Sequence, residues 1–159
     1  MPNRLPEVSV IIPNYNYGGF IERTLSSVLS QSYQDYEIII IDDASTDDTK
    51  DIIDKYKDPR IKYIQHKVNR GLSWTRNTGI KEARGIYLAF LDSDDAWMPE
   101  KIEAQIERFR SGPNNLGVVY TSMKIFDTTT SSTSSVPPPT YHGEVLQQLL
   151  EANHLGGGS

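Results

Sequence analysis

Apolar positions along this chain follow two periods that take turns. Val8-Ser9-Val10-Ile11-Ile12 is a β-branched run and predicts a first strand. Pro13 to Gly19 ends it, because proline cannot donate to a central ladder and Asn/Gly clusters favour turns. Phe20, Ile21, Leu25, Val28 and Leu29 recur at helical spacing, which predicts an amphipathic helix over 19–31. Tyr36 to Ile41 is a second strand, and it runs into Asp42-Asp43. Ser45 or Thr46 can cap a helix beginning near Asp47, with Ile52, Ile53 and Tyr56 turned inward. Ile61 to Ile64 follows as a short strand, Asn69-Arg70-Gly71 as a turn and Leu72 to Ala83 as a helix. Ile86 to Leu91 lacks alternation, the pattern of a strand buried on both faces. Pro99 suits the first turn of a helix that buries Ile102, Ile106 and Phe109.

Beyond that helix the pattern weakens. Leu116 to Phe126 reads as a strand. Every residue from Thr128 to Ser135 is Ser or Thr, and Pro137-Pro138-Pro139 follows, so 127–140 is expected to be a mobile loop. Glu144 to Ala152 reads as a last helix, and Gly156-Gly157-Gly158-Ser159 as either a linker or a native glycine-rich turn.

Strands alternating with helices predict an α/β fold, a Rossmann-like three-layer α/β/α sandwich around a mostly parallel sheet. Ligands of such sheets bind beyond the carboxyl ends of the strands, where strand order reverses. With order 3-2-1-4, the loops Pro13–Tyr17, Asp42–Ser45 and Asp92–Asp95 meet in one cleft. Asp92, Asp94 and Asp95 lie within four positions and raise one another's pKa without a counter-charge, which magnesium or manganese would supply through oxygen ligands. The competing reading is an acidic turn that caps the next helix. Tyr15 offers a ring for a base, and Asp43 can accept a base N–H or simply cap a helix. Arg76 can reach a phosphate or lie as a solvated charge. Trp97 and Met98 fit core or cleft wall better than a stacking platform.

Composition narrows the classes. The chain has 159 residues, suited to one domain with a sizeable core, and a net charge of −5 that argues against a nucleic-acid partner. The absence of cysteine excludes disulfides, zinc–thiolate sites and thiol nucleophiles. The polar N-terminus is no signal peptide, and no apolar run is long enough to span a bilayer. The expected compartment is the cytoplasm, with peripheral attachment at the inner face of the membrane left open for a full-length protein.

Several ordered motifs together resemble the family-2 glycosyltransferases of GT-A fold: Val8 to Asn16, Ser30-Gln31-Ser32-Tyr33, Ile41 to Asp47, Asn69 to Ser73 with Arg76-Asn77, and Leu91 to Asp95. The resemblance implies a nucleotide-sugar-binding core over 1–126 and the start of an acceptor-side segment over 141–159. It implies a nucleoside-diphosphate sugar as donor, a UDP-sugar favoured, with Pro13, Asn14, Tyr15, Asp43, Arg76, Asp92 and Ser93 binding the nucleotide. Asp94, with Asp92 beside it, would hold Mn2+ or Mg2+. Transfer would invert the anomeric carbon, and the acceptor (a glycan, a lipid-linked sugar or a protein) stays open. No residue matches the family's general base, expected beyond Ser159, so the chain reads as the donor-binding part of a longer enzyme that transfers sugar poorly by itself. Truncation would expose apolar surface and promote dimers.

Three rivals are weaker. A sugar-nucleotide nucleotidyltransferase needs a glycine- and basic-rich first loop, and Pro13 to Gly19 holds no Lys or Arg. A phospho-acceptor receiver module needs paired acids after the first strand, and here they follow the second. A nucleotide-binding module that has lost transfer activity is the third.

Overall fold

The computed structural model describes residues 4–127, 129–136 and 143. Two units pack separately, Met1–Ala104 and Gln105–Ser159. In the first, β1 (Val8–Asn14), β2 (Tyr36–Asp42), β3 (Ile61–Gln65) and β4 (Tyr87–Phe90) form a sheet in the order β3-β2-β1-β4. Every pairing is parallel. β1 and β2 are buried along their full length, as central strands covered on both faces must be.

Helices lie on both faces. Alternation puts Tyr36 and Asn14 on one face and Ser9, Ile11 and Glu37 on the other. α1 (Gly18–Leu29) covers the first, where the Tyr36 hydroxyl donates to the Val28 carbonyl at 2.9 Å. α2 (Thr49–Ile53) lies on the same side, its Thr49 hydroxyl 3.2 Å from the Asn14 amide. α3 (Leu72–Glu82) covers the second face so closely that a Cβ on Gly79 would lie 2.4 Å from Ile11 Cγ2. The order reverses between β1 and β4, since β2 and β3 extend one way and β4 the other. α4 (Lys101–Ser111) buries Ile102 and Ile106. Among the described residues no helix is long and apolar enough to cross a membrane.

Several expectations are corrected. Pro13 does not stop β1. Leu91 N donates to Ile11 O on the β4 side and Asp43 N to Asn14 O on the β2 side. Alternation therefore turns Pro13's missing N–H toward β4, which has already ended at Phe90. α2 starts at Thr49 rather than near Asp47, because the Ser45 hydroxyl bonds Asn16 N at 2.9 Å instead of capping the helix. Phe20 is 45 % exposed, outside the Ile21–Leu25–Val28 stripe. Among the described residues β4 is a sheet edge with Leu88 41 % and Phe90 44 % exposed, so it is not buried on both faces. Met98 is 68 % exposed and so lies outside the core.

In the second unit, only Met123–Asp127 of the strand expected over 116–126 forms, as β5. It pairs antiparallel with β6 (Ser132–Val136), inside the stretch expected to be a loop. The turn is organised by Asp127, whose carboxylate accepts from Thr129 N at 2.8 Å and the Thr129 hydroxyl at 2.6 Å. The helix expected over 144–152 lies outside the described residues.

A buried polar cluster ties α3 to the sheet away from the strands' carboxyl ends. Glu37, 4 % exposed, accepts from the Ser9 hydroxyl at 2.7 Å, Arg84 N at 2.8 Å and the Arg84 guanidinium at 2.7 and 2.9 Å. Burial raises its pKa, but the Arg84 and Ser9 bonds and the Arg84 charge together hold it below the ordinary glutamate value. Its stabilisation is therefore complete above the unfolded-state pKa. It is lost as pH falls from there through the lowered folded value. Glu37→Ala should cost about 3 kcal/mol in urea unfolding at neutral pH, since it leaves buried donors unmet. The deficit against wild type should shrink in acid; a deficit that does not change with pH would refute the role of its charge.

Candidate functional site

The loops after β1, β2 and β4 are joined by named bonds at the carboxyl edge of the sheet. Asn16 links the first two: its side-chain oxygen accepts from Thr46 N at 2.8 Å, and its own N–H donates to Ser45. Asn14 is 3 % exposed, and its amide donates to Ser45 and Thr49 hydroxyls, each at 3.2 Å. Asn16 and Ala44 take left-handed backbone, φ 57 and 66. The second turn is held by buried Asp42, which accepts from Ser45 N at 2.9 Å, Gln65 at 3.1 Å and the Tyr63 hydroxyl. Tyr15 and Tyr17 stand 44 % and 42 % exposed on the first loop.

Asp43 turns away from Asp42 and organises the third connection. It is 2 % exposed. Its carboxylate accepts from His66 Nδ1 at 2.7 Å, Arg70 N at 2.9 Å and Gly71 N at 2.7 Å. Gly71 adopts φ 85, which brings its N–H to Asp43 as α3 begins. His66 Nε2 lies 3.1 Å from the Thr78 hydroxyl on α3. Burial opposes ionisation of Asp43, yet the bonds from His66, Arg70 and Gly71 keep its pKa below the ordinary value.

The acidic stretch is a tight turn, Asp95 N donating to Asp92 O at 3.1 Å. Its counter-charge is partly internal: Arg76 on α3 bonds Asp92 at 2.8 Å. Ser93 is buried. The side chains of Asp94 and Asp95 are exposed, and no ion pair reaches either among the described residues. The Asp95 carboxyl is raised by partial desolvation and then by the charges of Asp94 and Asp92, with Arg23 opposing. Trp97 is half-buried beneath Lys101, whose ammonium lies 4.5 Å from the ring centroid and is lowered to about 8 by burial.

Thus Tyr15, Asp43, Asp92, Ser93 and Asp94 lie in the three loops, Pro13 and Asn14 close β1 just before the first of them, and Arg76 joins them by its bond to Asp92. Asn14, Asp43 and Ser93 are internal ties rather than open groups. His66 escaped the sequence reading, because nothing local connects it with an aspartate 23 positions earlier. No three His, Asp or Glu side chains converge as a metal site among the described residues. Asp92 and exposed Asp94 nevertheless suit a cation held by one or two carboxylates plus substrate phosphates.

The profile described as Glycosyl transferase family 2 matches residues 9–157. A putative teichuronic acid biosynthesis glycosyltransferase, TuaG of Bacillus subtilis, is 48% identical over 67% of this chain and 43% of its own length. The Escherichia coli protein WfaP is 52% identical over 62% of this chain and 39% of its own length. Its name is UDP-Glc:alpha-D-GlcNAc-diphosphoundecaprenol beta-1,3-glucosyltransferase. The chain therefore spans less than half the length of these curated relatives. Among solved structures, S. aureus TarS 1-349 in complex with UDP aligns at a TM-score of 0.63 and 30% identity, over 71% of this chain and 38% of that one. A mannosyltransferase of Pyrobaculum calidifontis, in complex with GDP-Man and Mn2+, aligns at 0.61 and 27% identity, over 70% and 34%.

The Asp43–His66 tie is testable by swapping the imidazole for amides. Asparagine places its nitrogen near Nδ1 and keeps a donor for Asp43; glutamine places it near Nε2 and does not. His66→Gln should be less stable than His66→Asn by about 1.5–3 kcal/mol, the worth of a hydrogen bond to a charged group. Equal unfolding midpoints for the two variants would remove His66 as the partner that matters.

Proposed function

The chain belongs to glycosyl transferase family 2, and from that premise we propose that it binds the donor of a sugar transfer, a nucleoside-diphosphate sugar. UDP is the favoured nucleotide, because TarS has been captured with UDP and UDP-GlcNAc and WfaP is named for UDP-Glc. The observation that carries the reading is the Arg76–Asp92 pair beside exposed Asp94 at the reversal between β1 and β4. Cation and carboxylates together suit a diphosphate better than either alone.

Each residue then has a task. Pro13 and Tyr15 flank the base. Asp43 supports the base side from within, its carboxylate holding His66, Arg70 and Gly71 where α3 begins. Asn14 and Ser93 act by shaping their loops. Arg76 orients the diphosphate, while Asp94, with Asp92, would hold Mn2+ or Mg2+. Such an ion, when bound, supplies Lewis-acid neutralisation of the leaving diphosphate. Inverting transfer also needs a base for the acceptor hydroxyl, and we assign none of these residues to it: Asp43 and Asp92 are already bonded on the donor side. In this reading the isolated chain binds nucleotide without appreciable transfer. A lipid-linked sugar is the favoured acceptor of the longer protein, since WfaP and its 38% identical counterpart WfgD are both named for one.

Calorimetric titration of UDP, GDP and dTDP should find one nucleotide, UDP, bound at least tenfold more tightly with Mn2+ than with excess chelator. Asp94→Ala should abolish that difference. Equal affinity for all three, or none for any, would count against the donor assignment.

A further inference from the structure

A polar stripe on α1 is left unexplained by the donor reading. Thr24 is fully buried, Gln31 is 1 % exposed, and Ser27 lies between them at helical spacing. Buried polar side chains in an otherwise apolar interface need partners. Apart from carbonyls of α1 itself, the partners here are backbone groups of one segment, the acidic turn and the stretch that follows it.

The bonds run in order along both elements. The Thr24 hydroxyl lies 2.8 Å from Ser93 O and 2.7 Å from Asp95 O, and Arg23 Nη2 donates to Asp94 O at 2.6 Å. Ser27 Oγ accepts from Trp97 N at 3.1 Å. Gln31 donates to Met98 O at 2.8 Å and accepts from Ile102 N at 3.0 Å. Ser32 N donates to Pro99 O at 2.9 Å. Three successive carbonyls of the turn therefore face α1. The Asp94 backbone is pinned while its side chain stays exposed.

We propose that Thr24 and Arg23 are positioning residues that set the backbone of the Asp92–Asp95 turn, and so the place of the Asp94 carboxylate, with Gln31 anchoring the far end. This rests on the donor reading for its functional consequence, but the positioning itself does not. A carboxylate must sit within a few tenths of an ångström of a cation's preferred distance. A four-residue turn closed by one backbone hydrogen bond does not fix that by itself. The grip acts on main-chain atoms, so it is indifferent to which side chains the turn carries. Thr24 lies at the centre: its single proton is shared between carbonyls on either side of Asp94, while the Phe20 carbonyl, at 3.4 Å, is too far to compete.

Thr24→Val keeps the shape and removes the hydroxyl; Thr24→Ser restores the donor. Two measurements on the same chain separate this claim from the donor reading. In hydrogen exchange, Thr24→Val should speed exchange of the Asp95 and Trp97 amides about tenfold or more, leave the β1 and β2 amides protected, and be reversed by Thr24→Ser. In UDP titration, the Mn2+-dependent gain in affinity should fall about tenfold, with the affinity in chelator unchanged and the serine variant near wild type. Unchanged exchange at the turn overturns the proposal whatever the titration gives. So does exchange raised equally throughout the chain, or an equal loss of affinity with and without metal. Should wild type bind no nucleotide, the donor reading fails and the exchange experiment alone decides the positioning.

Discussion

Buried polar groups must be satisfied, and here that constraint shapes the whole carboxyl edge of the sheet. A parallel sheet covered on both faces leaves little water at the ends of its central strands. Asp42 answers for its own turn by bonding Ser45 N, and Asp43 for the entry to α3 by bonding Arg70 and Gly71. Asn14 ties two loops, and Thr24 with Gln31 holds the segment after β4. Packing places these side chains, and their hydrogen bonds then reach across to other elements, Asn14 to hydroxyls and Asp43, Thr24 and Gln31 largely to main-chain atoms.

That arrangement changes how the aspartates are read. An acidic residue at the end of a strand suggests a ligand when met as a letter in a sequence. In three dimensions the aspartates at the ends of β2 and β4 divide by exposure. Asp42 and Asp43 are inside, and their charge is spent on holding loops. Asp92 is half-buried and paired with Arg76, and Asp94 is outside. The division follows from strand position. β2 is central, so its terminal acids enter the interior; β4 is an edge among the described residues, and its acids reach solvent at Asp94, two residues into the turn.

α3 couples these parts mechanically. Its first turn is fixed to Asp43 through Gly71, its middle to His66 through Thr78 and to Asp92 through Arg76, and its end to Glu37 through Arg84. Gly79 lets it lie against Ile11. A single rigid helix thus spans the base side and the acidic side of the candidate site, and the cluster at Glu37 stabilises it from the opposite end of the sheet.

The sequence by itself determined the alternation of strands and helices and the two acidic strand ends, because hydrophobic period is a local rule; the strand order 3-2-1-4 entered as a condition that no local rule supplies, and the sheet adopts it. The motifs also led to the correct family. Leu88 and Phe90 look as buried as Ile39 and Ile40 in the sequence, yet they sit on an edge, and edge position is set by what packs alongside rather than by composition. The Ser/Thr stretch over 132–136 looked unable to order, yet it pairs with β5, because a ladder is made by main-chain groups that every non-proline residue carries. His66, Thr24 and Arg23 were invisible for a related reason: their cross-element partners lie 12 to 71 positions away, and those of Thr24 and Arg23 are backbone carbonyls, which leave no signature in a string of side chains. Only the tertiary structure could bring them together.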